Sequence, residues 1–91
     1  MPRVTVLHED DNIAVALDPL APENIVNVPG KGQLKVMEHI PFAHKIALQD
    51  IPKGQLICKY GSPIAKTTQD IAQGSHVHIH NVVSLRKTKS S

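Results

Sequence analysis

The sequence predicts a small, mainly β single domain, and three observations predict it. Apolar and polar residues alternate with period two along much of the chain, while helical periodicity is poor throughout. Glycine or proline stands at nearly every junction between the alternating segments. A short motif, Gln49-Asp50-Ile51-Pro52-Lys53-Gly54, returns twenty residues later as Gln69-Asp70-Ile71-Ala72-Gln73-Gly74, and each copy leads into a strand candidate. Short strands at regular spacing with tight turns favour a compact sandwich or barrel-like domain.

The elements follow in order. Val4 to His8 and Ile13 to Leu17 alternate on either side of Glu9-Asp10-Asp11-Asn12, which reads as a hairpin loop. Pro19 and Pro22 break the chain next, with room for one helical turn over Asp18 to Glu23. Gly30-Lys31-Gly32 marks a turn before a strand at Leu34 to Met37. Further strands are predicted at Lys45 to Leu48, Leu56 to Lys59, Ile64 to Thr68 and Val77 to His80. The motif has a weaker copy in Asp18-Pro19-Leu20-Ala21-Pro22-Glu23, and Ile40-Pro41-Phe42-Ala43 is a fourth candidate. In each copy the apolar residue anchors a tight turn in the core, and the glycine supplies a positive-φ position. Asp50 and Asp70 then read as turn residues that bond backbone N–H groups rather than as catalytic acids.

Composition limits the function. With 91 residues the chain makes one domain, and its 41% hydrophobic content must build an aliphatic core, because Phe42 and Tyr60 are the only aromatics. A net charge of +2 and two aromatics offer neither the electrostatic footprint nor the stacking platform of a nucleic-acid binder. No apolar run approaches the roughly 20 residues that span a bilayer, and the alternating N-terminus is not a secretory signal. The single Cys58 cannot form an internal disulfide and reads as a small buried hydrophobe, in keeping with a cytoplasmic location. Residues 1–83 form the expected domain. Residues 84–91, with Arg86, Lys87 and Lys89 among serines and a threonine, read as a basic, frayed tail.

The chemistry is concentrated in Gly74-Ser75-His76-Val77-His78-Ile79-His80-Asn81. On a strand, Val77 and Ile79 enter the core together, and His76, His78 and His80 stand in a row on the other face. Such a row can ligate a metal, move protons near neutral pH, or simply form the polar face of an edge strand. On an extended strand at ~3.3 Å per residue, His76 and His80 stand roughly 13 Å apart, so at most two of the three share an ion. His78 and His80 are the candidate pair. Asn81 either orients an imidazole or ends the strand. A second cluster, His44-Lys45 with Lys59-Tyr60-Gly61, offers cationic and phenolic groups suited to a carboxylate or an enolate. The alternative is that the lysines are solvated and Tyr60 packs in the core.

The order Leu7-His8, Asp11-Asn12-Ile13-Ala14-Val15-Ala16 and Ile40-Pro41-Phe42-Ala43-His44-Lys45-Ile46-Ala47-Leu48 resembles the altronate/galactarate dehydratase family. So do Asp50 to Gly54, Lys59-Tyr60-Gly61-Ser62-Pro63-Ile64 and Asp70 to Gly74 leading into His76-Val77-His78-Ile79-His80-Asn81. The likeness covers roughly residues 4 to 83 and is to that family's small N-terminal domain or separate small subunit, a SAF-type domain with a β-clip fold. The His-Val-His-x-His-Asn ending is similar to the altronate branch and to the related sulfolactate sulfo-lyases, and differs from the galactarate enzymes. Ala43 and Ala65 stand where the family usually has glycine. If those positions need positive φ, each alanine costs ~1 kcal/mol or shifts the backbone locally.

The resemblance implies a lyase component that dehydrates an altronate-like sugar acid and is inactive alone. A large subunit completes the active site and holds most of a divalent metal, iron or manganese. On that reading His44, Lys45, Tyr60, His78 and His80 are catalytic, and Lys59, His76 and Asn81 bind substrate. His78 and His80 donate to the metal in a shell that the partner completes. Without that partner, the isolated chain either stays single or pairs with itself through an uncovered strand edge, and the residues do not choose between the two. The rival expectation is a non-catalytic, carbohydrate-binding or assembly module of the SAF type.

Overall fold

A computed structural model describes residues 2–85. Among them there is no helix, and no helix long and apolar enough to cross a membrane. Nine short strands run in chain order: β1 (Val4–Thr5), β2 (Ile13–Ala16), β3 (Ile25–Val28), β4 (Gly32–Lys35), β5 (Lys45–Ala47), β6 (Leu56–Lys59), β7 (Ser62–Thr67), β8 (His76–Val77) and β9 (Val82–Ser84). They form three antiparallel sheets, with strand orders β1-β2-β5-β8, β3-β4 and β6-β7-β9. β9 ends at Ser84, and the basic residues of the expected tail, from Arg86 on, lie outside the described residues.

The repeated motif organises this architecture. Ile51 and Ile71 exchange both backbone hydrogen bonds, at 2.7 and 2.8 Å. Leu20 and Ile40, the apolar residues of the two weaker copies, do the same at 2.8 and 3.0 Å. In all four copies a turn closes from the carbonyl of residues 21, 41, 52 or 72 to the N–H three residues on. The third residue of each turn has positive φ: Glu23 at 77°, Ala43 at 71°, Gly54 at 84° and Gly74 at 87°. Positive φ there is the mark of a type II turn. Each of those residues also donates its N–H to a neighbouring strand: to Val36, Ala16, Thr67 and Ala47 respectively. The helical turn expected over Asp18 to Glu23 is therefore one of these turns. Pro22 suits its second position, and the Leu20–Ile40 exchange holds the chain extended before it.

The aspartates do bond backbone, but across the pair. Asp50 accepts from Gln73 N at 2.9 Å and Asp70 from Lys53 N at 2.8 Å, so each copy caps the other's turn.

Two aliphatic clusters result, each closed by one pair of turns. Leu20 and Ile40 lie in the first, with Val26, Val28, Leu34, Val36 and Ile46. Ile51 and Ile71 lie in the second, with Ile13, Ala47, Ile57, Ala65 and Val77. The central sheet divides them: β2 and β5 send Ala14, Ala16 and Ile46 one way and Ile13 and Ala47 the other. Burial of such side chains, at roughly 1.5–3 kcal/mol each, is the main stabilising term in a domain with so few aromatics.

β3 and β9 are strands the residue pattern did not single out. In β3 only Val26 and Val28 are buried, and the strand is a hairpin with β4 through Pro29-Gly30-Lys31. β6 and β7 are joined by Tyr60-Gly61, both at positive φ, the type I′ geometry that matches strand twist. The buried Asp11 fixes this turn by accepting from Tyr60 N (3.1 Å) and Gly61 N (2.8 Å). Tyr60 is thus exposed rather than packed in the core. Ala65 is a buried residue of β7 without positive φ, so of the two alanines only Ala43 occupies the left-handed region.

Candidate functional site

The histidine segment is not a continuous strand. β8 ends at Val77, and residues 78–81 turn back toward β9. Asn81, buried at 5% exposure, makes that turn. Its Oδ1 accepts from His78 N at 2.9 Å, its Nδ2 donates to the His76 carbonyl at 2.7 Å, and its own N–H donates to the His78 carbonyl at 3.0 Å. Val77 is in the core as expected, but Ile79 is 82% exposed at the turn. The expectation that the two enter the core together fails because Asn81 satisfies the backbone groups that a longer ladder would have paired.

The turn gathers the imidazoles. β5 pairs with β8 through Lys45↔Val77 and Ile46↔His76, and the same register carried outward sets His44 opposite His78. The His44 and His78 rings stack with centroids 4.3 Å apart. His44 Nδ1 lies 2.9 Å from His76 Nε2, a hydrogen bond in which one nitrogen carries the proton. The His76 and His78 rings are nearly parallel at 5.3 Å, and His80 leans on His76 at the same centroid distance. The roughly 13 Å separation expected of an extended chain is thus replaced by ring contact.

Side-chain ring nitrogens of His44, His76 and His78 lie within 4.8 Å of one another. Among the described residues these three form a convergent set of three donors, which takes in His78 of the expected pair and not His80. Neutral imidazoles in such a group suit a divalent transition metal.

The electrostatics favour neutral rings at His76 and His78. His76 is held below the usual histidine range by burial first, then by His44, His78 and His80, with Glu38 opposing. His78 is lowered by desolvation, then by His44, Lys45 and His80. Lys45 is half-buried, and burial followed by the nearby Lys59 ammonium lowers its pKa. The Lys59 ammonium in turn lies 5.5 Å from the centre of the Tyr60 ring. Lys45 therefore links the histidine group to the Lys59–Tyr60 corner, where the Tyr60 ring lies under the Lys59 ammonium.

Asn81 spends both side-chain polar atoms on the backbone, so it shapes the site from beneath. Glu38 was not singled out from the sequence. Its carboxylate accepts His76 N at 3.0 Å, fixing that residue's backbone from a third segment. Asp11 was also missed as an anchor of the Tyr60 turn; its place in a polar hairpin loop disguised a buried carboxylate. Phe42 stands two residues before His44 and Ile79 between His78 and His80, and both are large apolar residues left exposed, at 62% and 82%.

Residues 2–85 match the family model of the altronate/galactarate dehydratase SAF domain. The chain is 44% identical to altronate dehydratase of Escherichia coli over 75 residues, which are 82% of this chain and 15% of that protein. It is 41% identical to the (2R)-sulfolactate sulfo-lyase subunit alpha of Chromohalobacter salexigens over 54 residues, 59% of this chain and 57% of that subunit. Galactarate dehydratase (L-threo-forming) of Escherichia coli is 34% identical over 77 residues, 85% of this chain and 14% of that enzyme. The chain thus spans about one-seventh of the length of the curated dehydratases it matches. With its motifs, its all-strand fold and a family match over residues 2–85, the chain belongs to the altronate/galactarate dehydratase SAF domain family.

Proposed function

We propose that this chain is the small component of a cytoplasmic carbon–oxygen lyase that dehydrates an altronate-like sugar acid. It forms one wall of an active site that a large dehydratase subunit completes. One observation carries the reading: four imidazoles are in ring contact, half-buried Lys45 acts on His78, and the large apolar side chains nearest them in sequence, Phe42 and Ile79, are exposed. Exposed apolar groups beside a polar cluster are what a covering partner would bury.

Dehydration requires removal of a proton α to a carboxylate, stabilisation of the resulting charge, and protonation of the departing hydroxyl. A neutral His78, stacked on His44, is suited to accept the proton. The His44–His76 hydrogen bond offers a path for its relay, and His80, against His76, is a second exchange point. Lys45 and Lys59 supply paired positive charge for the substrate carboxylate, with Tyr60 beside Lys59. His76 and Asn81 bound the same surface; Asn81 acts by holding the loop. A divalent metal, iron or manganese held mainly by the large subunit, would supply Lewis-acid polarisation of the substrate when bound.

Co-expression with a large dehydratase-type subunit and assays on altronate, galactarate and (2R)-sulfolactate test the proposal. Turnover of altronate by the complex, lost in His78→Ala with assembly intact, is expected. Unchanged turnover in the double variant His78→Ala/His80→Ala would sink the catalytic assignment and leave a non-catalytic SAF-type binding or assembly module. The similarity to the sulfo-lyase subunit alpha supports a second reading, in which the same wall serves release of sulfite from sulfolactate. Activity on sulfolactate alone would select it.

A further inference from the structure

We infer that His44, His76 and His78 form a three-histidine site for a borderline divalent transition ion, Fe(II), Ni(II) or Zn(II), with a coordination position left open toward solvent. The site belongs to this chain by itself and needs no partner residue. It differs from the His78–His80 pair that an extended strand would offer.

The geometry carries the inference. Metal–nitrogen bonds of about 2.0–2.1 Å place tetrahedral ligand atoms about 3.3 Å apart. His44 Nδ1 and His76 Nε2 are 2.9 Å apart, and all three donor atoms lie within 4.8 Å of one another. Small ring rotations therefore suffice. The backbone beneath is already fixed at three points. Asn81 holds both His76 and His78, Glu38 holds His76 N, and His44 N is tied to the Pro41 carbonyl at 3.0 Å. His44 also comes from a separate segment, so the donors approach from two directions and leave a side open.

The donor set chooses the ion. Three imidazole nitrogens without a carboxylate suit zinc, iron, nickel or copper, and are poor for manganese, magnesium or calcium, which prefer oxygen. Lys45 and Lys59 beside the cluster add positive charge that disfavours a bare cation and favours an anion in the open position. The site thus has the form of a catalytic rather than a closed structural centre.

The test uses the full, untagged chain, stripped with a chelator and titrated with Co(II), then with Zn(II) and Mn(II). Expected are saturable ligand-field absorption in the visible at one equivalent, its displacement by Zn(II), and much weaker binding of Mn(II). His44→Ala, His76→Ala and His78→Ala should each weaken Co(II) binding by about tenfold or more, whereas His80→Ala and His39→Ala retain it. Melting of each metal-free variant checks folding. Should a variant not fold, Zn(II)-induced shifts of the imidazole resonances of the unmodified chain identify the ligands. No saturable Co(II) signal, binding that survives His44→Ala in a folded chain, or shifts confined to His78 and His80 would overturn the inference. With the ion bound, His44, His76 and His78 are ligands in place of the proton path proposed for the metal-free cluster; each readout is taken without partner or substrate, so it can fail while the lyase reading stands, and the reverse.

Discussion

Asn81 and His78 are joined twice: the Asn81 carboxamide oxygen accepts the His78 N–H at 2.9 Å, and the Asn81 N–H reaches back to the His78 carbonyl at 3.0 Å. This closed ring of contacts turns a sequence that alternates like a strand into a loop that stacks its imidazoles. Asn81→Ala should cost about 1–3 kcal/mol, since it strips two buried backbone groups of their partners. It should also loosen the His44–His78 stack. Chemical denaturation and the imidazole NMR spectrum check both, and unchanged ring shifts would contradict the positioning role.

Ala43 and Gly74 occupy equivalent turn positions with opposite constraints. Relieving Ala43 of its φ of 71° recovers about 1–2 kcal/mol of left-handed strain, against about 0.4–1 kcal/mol of added unfolded-state entropy. Ala43→Gly should therefore stabilise the chain modestly, by about 0.5–1 kcal/mol. Gly54→Ala meets open space and should cost only about 1–2 kcal/mol of strain. At Gly74 an added Cβ would overlap the Lys35 carbonyl oxygen and press on Met37, so Gly74→Ala should cost about 3 kcal/mol or more. Denaturation midpoints of the three variants would show that order.

Acid should destabilise the metal-free chain through its histidines. His76 and His78 have folded-state pKa values below the ordinary histidine value of 6.5. As pH falls through 6.5, the unfolded chain takes up protons before the folded one, so stability drops until the lower folded values are passed. Melting temperature, measured with chelator from about pH 8 to about pH 5, should decline across this window. In His76→Gln the decline should be shallower; an identical slope would show that His76 does not carry the effect.

Lys45 responds to Lys59. Burial is the larger cause of its lowered pKa, and the Lys59 ammonium adds to it. Lys59→Ala should raise the Lys45 pKa part of the way toward its ordinary value, read from the side-chain NMR titration. The same substitution should weaken carboxylate binding, because one of two neighbouring cations is gone.

Much of the fold was legible in the residues. The strand at Leu56 to Lys59 matches β6 in both bounds, and β2 and β5 differ from expectation only at their last residue. The repeat was visible because a turn with positive φ asks for glycine, and Gly54 and Gly74 supplied it. Its two weaker copies lacked that signal, since Glu23 and Ala43 adopt positive φ without the residue that advertises it. The site was harder to read. His76, His78, Lys45 and His44 were identified as chemistry-bearing, but alternation in His76-Val77-His78-Ile79-His80 fits a strand as well as a loop. What decides between them is a side-chain bond from Asn81, a tertiary fact without a periodic trace. The same holds for Asp50 and Asp70, recognised as turn residues, whose partners lie in the opposite copy.

The paired turns close two separate cores, and the imidazoles stand where the two halves meet. His44 leaves a turn of the first pair; His76 and His78 follow a turn of the second, joined to it by the short β5–β8 ladder and the backbone bonds between Ala47 and the Gly74-Ser75 turn. Neither half of the chain could carry the cluster by itself. The cluster is a property of the joint, and a substitution that parts β5 from β8 would scatter the imidazoles even where both cores stay packed.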